Sequence, residues 1–182
     1  MLEKYATINA IKTLVLHPNS RFSVRGLAME AKISPGAAGI ALAYMKECRM
    51  ASLKVIGRTY QYKANLQSPL CRQWKLIFSL EEIERCGLVK NILSGIPRAV
   101  SILLFGSMGR GTDDEKSDCD ILVIATGASR PDLRRVAMRG RETNLVLMSP
   151  SEWKKKAKED KIFYENVIYD SVVLFGNRPV VL

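Results

Sequence analysis

Apolar positions recur along this chain with two different periods, and each change of period marks an element. From Tyr5 to Leu16, Ile8, Ile11, Leu14 and Val15 return at helical spacing, and His17-Pro18-Asn19 stops the run. Ser23 to Ala31 predicts a second helix capped by Ser23, with Leu27 and Ala28 inward. Ser34-Pro35 opens a third, because serine is a good N-cap and proline suits the first helical position. Ser52 to Ile56 and Thr59 to Lys63 then alternate around Gly57-Arg58, the pattern of a β-hairpin. From Leu66 to Leu93 the spacing is helical again. Ser68-Pro69 can start that stretch, and Gly87 or Gly95-Ile96-Pro97 can break it. Trp74 and Phe78 lie four apart within it and belong to a core or a domain contact, not to a platform for stacking bases.

The last third of the chain reads as mixed. Ile102 to Phe105 and Ile121 to Ile124 are short β-rich runs expected as neighbouring buried strands, and Thr143 to Met148 is a further candidate. A helix begins at Pro150-Ser151-Glu152 with Ser149 or Ser151 as cap, another covers Lys161 to Asp170, and a strand runs from Val172 to Phe175. The organisation expected is therefore α+β: a helical unit with a hairpin over 1–65, a helical linker over 66–94 and a sheet-bearing domain over 95–182.

Composition narrows the classes. The 182 residues are 47% hydrophobic, enough for ordinary cores in one or two domains. No apolar run approaches the ~20 residues that span a bilayer. The start, Met-Leu-Glu-Lys-Tyr-Ala-Thr, lacks the layout of a secretory signal, so a cytoplasmic protein without a membrane partner is expected. Cys48, Cys71, Cys86 and Cys119 are scattered and the chain has one histidine, which suggests neither a disulfide scaffold nor a zinc site. Cys119 is expected to pack as a small apolar side chain, and His17 to cap a helix end.

The candidate chemistry lies between Leu103 and Ala125. An apolar run ends at Gly106-Ser107, a polar segment follows, and Asp118 and Asp120 lead into the next apolar run. Side chains alternate along a strand, so the two carboxylates share a face and Cys119 takes the other. Such a pair is tolerable around a hard divalent cation, and Mg²⁺ typically takes one or two carboxylates and completes its shell with water and phosphate oxygens. Gly106 permits close approach of a ligand, the residues after it could present backbone N–H groups to an anion, and Ser107 adds a hydroxyl. The parts describe a triphosphate held by backbone and metal. A solvated turn is the bland reading of Asp-x-Asp alone; strand, Gly-Ser, spacer, Ser-Asp-x-Asp and strand together argue against it. No Walker A or Gly-x-Gly-x-x-Gly pattern is present.

At Gly106, Ser107, Arg110, Gly111, Ser117, Asp118 and Asp120 the chain resembles the nucleotidyltransferase superfamily that includes DNA polymerase beta, in particular its minimal archaeal and bacterial members. The resemblance covers about residues 95–182. It implies a small mixed sheet flanked by helices, Mg²⁺ or Mn²⁺ on Asp118 and Asp120, and transfer of a nucleoside monophosphate from a triphosphate to an acceptor. It further implies nucleotide contacts from Gly106, Ser107, Arg110 and Ser117, although an exposed helix cation is an equal reading of Arg110. Catalysing members often carry a third carboxylate on a later strand. Asn144 stands there, and an amide cannot take a proton as a base at neutral pH. Glu142 would restore a carboxylate if the strand register were shifted.

Three helices and a hairpin over about 4–65 resemble an N-terminal winged helix-turn-helix domain. Residues 1–65 hold ten lysines and arginines against three acids, a surplus of seven within the chain's net +10. That surplus is the footprint of phosphate binding, with Arg25, Lys46, Lys54 and Arg58 as candidates to hold DNA or RNA. Yet the third helix, Pro-Gly-Ala-Ala-Gly-Ile-Ala-Leu-Ala-Tyr-Met, offers almost nothing that reads base edges, and Ala37, Gly39 and Ile40 would suit a protein partner as well. Ordinary solvated cations are the competing reading. The lysines from Lys154 to Lys158 are read as a wet face, with capture of a polyanionic acceptor as the alternative. Two functions stand: a Mg²⁺-dependent transferase acting on a nucleoside triphosphate, or a DNA-associated regulator or antitoxin-like protein whose transferase fold binds nucleotide or a protein partner with little chemistry.

Overall fold

Helix α1 (Ala6–Leu16) forms where the apolar period is 3.6, and it buries Ala10, Ile11, Leu14 and Val15. It ends at His17, whose Nδ1 lies 2.8 Å from the Thr13 carbonyl oxygen, one of the acceptors left open in the last turn. Helices α2 (Val24–Glu30) and α3 (Pro35–Glu47) each begin at a capping serine: Ser23 Oγ accepts from the Gly26 N–H at 3.1 Å, and Ser34 Oγ from the Ala37 N–H at 3.2 Å. Strands β1 (Ala51–Ile56) and β2 (Thr59–Ala64) pair antiparallel with Val55 opposite Tyr60. Their two-residue turn needs a positive φ at its first position, and Gly57 supplies it at +59°.

The computed structural model describes residues 5–127, 138 and 140–181, and it divides into two units, Met1–Phe78 and Ser79–Leu182. The division falls inside helix α4 (Pro69–Arg85). In the first unit, Trp74 and Phe78 stack at 5.8 Å on the core formed by α1 to α3, and the buried Lys75 donates from Nζ to the Val15 carbonyl at 3.0 Å. The long helical stretch expected over Leu66–Leu93 is two helices. Gly87 at φ +68° ends the first and starts α5 (Leu88–Gly95).

In the second unit, β3 (Ala99–Phe105), a one-turn helix α6 (Gly106–Arg110), β4 (Cys119–Ala125), β5 (Thr143–Met148), α7 (Pro150–Glu159), α8 (Lys161–Asp170) and β6 (Val172–Gly176) follow in order. The sheet order is β5-β4-β3-β6, antiparallel except for the parallel pair β4 and β5, so the sheet is mixed as expected. Leu103, Leu122 and Ile124 pack under Trp153 of α7 and Val167 of α8, while Ile102, Leu104, Ile121 and Val123, which point the other way, are also buried. Burial on both faces explains why these strands read as continuous apolar runs and not as alternation. Ser149 and Glu152 close a reciprocal capping box on α7. No helix among the described residues is long and apolar enough to cross a membrane.

Candidate nucleotide and metal site

Strand β3 ends at Phe105, opposite Asp120 of β4, and the backbone turns sharply at Gly106, whose φ is +69°. A Cβ at that position would overlap Asp120 Oδ2 and come within 3.2 Å of its Cγ. Only glycine fits, because both the backbone region and the space exclude a side chain. Gly109 is fixed by space alone: a Cβ there would lie 2.9 Å from the Leu104 carbonyl and 3.1 Å from that of Asp170, so its absence lets α6 pack on β3 and the end of α8. The turn closes where the Thr112 N–H donates to the Ser107 carbonyl at 2.9 Å. Ser107 is half-buried, and its hydroxyl makes no hydrogen bond with a described residue.

Asp118 and Asp120 straddle the start of β4. Asp118 is exposed without a hydrogen-bonding partner among the described residues; Asp120 is half-buried between Gly106 and β5. In the parallel register Asp120 pairs with Asn144, and the Asn144 Nδ2 donates to Asp120 Oδ1 at 3.1 Å. A carboxylate only accepts, so the amide must present its NH₂ group there. The shifted register that would bring Glu142 to this place does not occur. The ladder starts at Cys119 and Thr143, the Glu142 carbonyl receives the Cys119 N–H at 2.9 Å, and the Glu142 side chain is exposed. Cys119 points away from the carboxylate face and is fully buried; burial first, and the neighbouring Asp120 charge second, push its thiol up to about 12. It is a neutral packing group at any ordinary pH.

The spacer between Gly111 and Asp118 is held by contacts that no periodicity announces. Arg141 Nη1 lies 2.7 Å from Asp113 Oδ2 and donates to the Ser117 carbonyl at 3.3 Å. Both partners are nearly inaccessible, with side chains 6% and 1% exposed. Ser117 donates to Asp114 Oδ1 at 3.0 Å and accepts from the Asp114 N–H at 3.0 Å, so its hydroxyl is engaged in shaping the loop. Asp113 and Arg141 are inconspicuous in the sequence because each stands among other charges, Asp113-Asp114-Glu115 and Arg139 to Glu142. Arg110, at the end of α6, faces Asp170 Oδ2 at 3.6 Å with both side chains well exposed.

The structure thus brings Gly106, Asp120 and Asn144 into contact, with Ser107 following in the same turn and Asp118 two residues before Asp120. Among the described residues no cluster of three or more His, Cys, Asp or Glu forms a ready metal cage. Asp118 and Asp120 are the side chains that could hold a divalent cation, and a donor set of two carboxylates with open space suits a hard ion that keeps water and takes phosphate oxygens. Arg25 of α2, Lys46 of α3, Lys54 of β1 and Arg58 of the hairpin turn all belong to the first unit and are exposed, without an ion pair to a described residue. On α7 and α8 several lysines are spoken for: Lys155 pairs with Glu159, Lys156 with Asp160 and Lys161 with Glu165. Of the lysines from Lys154 to Lys158, Lys155 and Lys156 are therefore engaged within the chain.

Comparison with solved structures finds a protein of Sulfolobus solfataricus assigned as a nucleotidyltransferase, 20% identical, over 58% of this chain and 87% of that one, with a TM-score of 0.35. A likeness that loose carries no weight by itself. No curated protein matches the chain. The family model described as polymerase beta, nucleotidyltransferase matches residues 88–179, a span that holds Gly106, Ser107, Asp118, Asp120 and Asn144. With half its length inside that match, the chain belongs to the polymerase beta-like nucleotidyltransferase family.

Proposed function

We propose that this chain is a Mg²⁺- or Mn²⁺-dependent nucleotidyltransferase that moves a nucleoside monophosphate from a nucleoside triphosphate to an acceptor. The observation that carries the reading is the contact of Gly106 with Asp120, a carboxylate set against a backbone turn with no room for a Cβ. Asp118 and Asp120 hold the metal, which when bound neutralises phosphate charge and favours attack at the α-phosphorus. Ser107 offers its unengaged hydroxyl to the triphosphate, and Gly106 lets phosphate oxygens approach the main chain. Arg110 is near enough to the surface to exchange Asp170 for a phosphate. Ser117 serves the same site indirectly, by fixing the loop that delivers Asp118.

The first unit is a winged helix-turn-helix module in this reading, with α3 as the helix that would enter a groove and the β1–β2 hairpin as the wing. Its uncompensated Arg25, Lys46, Lys54 and Arg58 hold a nucleic-acid backbone without reading bases, since the exposed positions of α3 before its last turn are Pro35, Gly36, Ile40, Ala43 and Tyr44, and only Lys46 and Glu47 at its end are charged. The protein works in the cytoplasm, where nucleoside triphosphates and Mg²⁺ are supplied.

A second reading, a regulator or antitoxin-like protein that binds nucleotide without turnover, draws on Asn144, which places an amide where a third carboxylate would stand. Incubation of the protein with α-labelled ATP, Mg²⁺, total RNA and lysate protein separates the two. Label transferred by the wild type and not by Asp118→Ala plus Asp120→Ala supports the transferase; no label above that variant supports binding without turnover.

A further inference from the structure

We propose that the outer end of the β1–β2 hairpin binds single-stranded RNA by stacking unpaired bases on Tyr60 and Val55; this rests on the reading of the first unit as a module that holds nucleic acid. The two residues stand opposite each other in the ladder, so their side chains rise together from one face. Tyr62, two residues on and therefore on the same face, packs against the core of the unit. Past it the face continues into solvent, with Tyr60 60% and Val55 58% exposed. Ile56, next to the turn, is exposed as well. Charge decides which partner fits. Lys54 and Arg58 border the pair, exposed and without an ion pair to a described residue, within residues 1–65, where lysines and arginines exceed acids by seven. A purely apolar partner would leave those cations unmatched, whereas a polyanion that also carries flat apolar rings meets both features at once.

A duplex covers its base faces and shows a protein edges and phosphates, and edges are read by side chains that donate or accept hydrogen bonds. Val55 and Ile56 have no such groups, nor have the exposed Ile40 and Ala43 of α3. Tyr44 of α3 is 44% exposed, but its hydroxyl is hydrogen-bonded to the Cys48 side chain, which turns its polar end back onto its own helix. What this module shows a nucleic acid is therefore cations and apolar or aromatic surface. Base faces are open where strands are unpaired, and RNA presents them in loops, bulges and ends without the cost of opening a duplex step. Every base has a π-face, so the Tyr60 ring takes each of them and the binding is tolerant of sequence.

Fluorescence anisotropy of the whole chain with a labelled RNA strand, the duplex of that strand, and a DNA strand of the same sequence tests this. At one salt concentration the RNA strand is expected to bind roughly tenfold more tightly than the duplex, and the DNA strand no more tightly than the RNA. Tyr60→Ala should weaken binding of the RNA strand on the order of tenfold. It should also leave the slope of log affinity against log salt as it was, because no phosphate contact is removed. Tyr60→Leu keeps apolar bulk opposite Val55 and loses only the ring, so it should weaken binding likewise at an unchanged melting temperature, while Tyr60→Phe should bind as the wild type does. Duplex bound as tightly as the strand, a DNA strand preferred to the RNA, or full affinity in folded Tyr60→Leu overturns the proposal. Failure of every one of these nucleic acids to bind would instead overturn the reading of the first unit beneath it.

Discussion

A methyl group at Gly106 has nowhere to go. The residue sits at φ +69°, where a side chain is strained, and the space a Cβ would take is filled by the Asp120 carboxylate. Gly106→Ala is therefore expected to push Asp120 out of place at a cost on the order of 1–3 kcal/mol. If that cost falls on binding, Mg²⁺-dependent ATP affinity drops roughly tenfold to a hundredfold. Calorimetry on the variant checks it, and unchanged affinity with an unchanged melting temperature would contradict the geometry. Asn144 sharpens the same point. The resemblance puts it where a third carboxylate would stand and leaves a register shifted to Glu142 open; the ladder sets it opposite Asp120. What the pattern does not convey is that the amide donates to the carboxylate, because a hydrogen bond between strands 24 residues apart has no local signature. Likewise Cys119 is readable as a packed thiol from alternation alone, while its displacement to about 12 depends on how deeply the neighbouring strands bury it. The sign follows: the folded state keeps the proton that the unfolded chain loses near 9.0, so this group takes stability away as pH rises from there towards 12.

At the scale of elements, local chemistry is informative wherever an end is fixed by one residue type. Ser23 and Ser34 cap the helices they are expected to cap, Ser149 and not Ser151 caps α7, and Gly87 breaks the long helical stretch because a positive φ costs glycine little. The loop from Gly111 to Asp118 reads only as a spacer. Its shape is set by Asp113 and Arg141, whose meeting depends on the crossover that brings β5 beside β4, a tertiary event that no window of sequence contains. Removing Arg141 takes a buried charged partner from Asp113 and the donor from the Ser117 carbonyl. Arg141→Ala is thus expected to destabilise the protein by about 1–3 kcal/mol and to loosen Asp118, whereas Lys155→Ala, which breaks an exposed pair, should leave the melting temperature essentially where it was. Thermal denaturation of the two variants side by side decides it; equal melting temperatures would mean that the pair is not what holds the loop.

For the whole molecule, charge and chemistry are distributed unequally. The surplus of basic residues is concentrated in 1–65, and the carboxylates of the candidate site are in the second unit. A division of labour in which the first unit holds a nucleic acid and the second performs the transfer predicts weak, sequence-independent nucleic-acid binding that collapses with salt. Neutralising Arg25, Lys46, Lys54 and Arg58 together should reduce the slope of log affinity against log salt by roughly four, about one for each phosphate that no longer meets a cation; an unchanged slope would assign those side chains to solvent alone. The central claim, that Asp118 and Asp120 beside Gly106 form a metal-dependent triphosphate site, has its most direct test in calorimetry of ATP binding with and without Mg²⁺. The wild type is expected to bind ATP only when Mg²⁺ is present, and Asp118→Ala plus Asp120→Ala not at all. Equal binding by the wild type and the folded double variant, or binding indifferent to Mg²⁺, would contradict it.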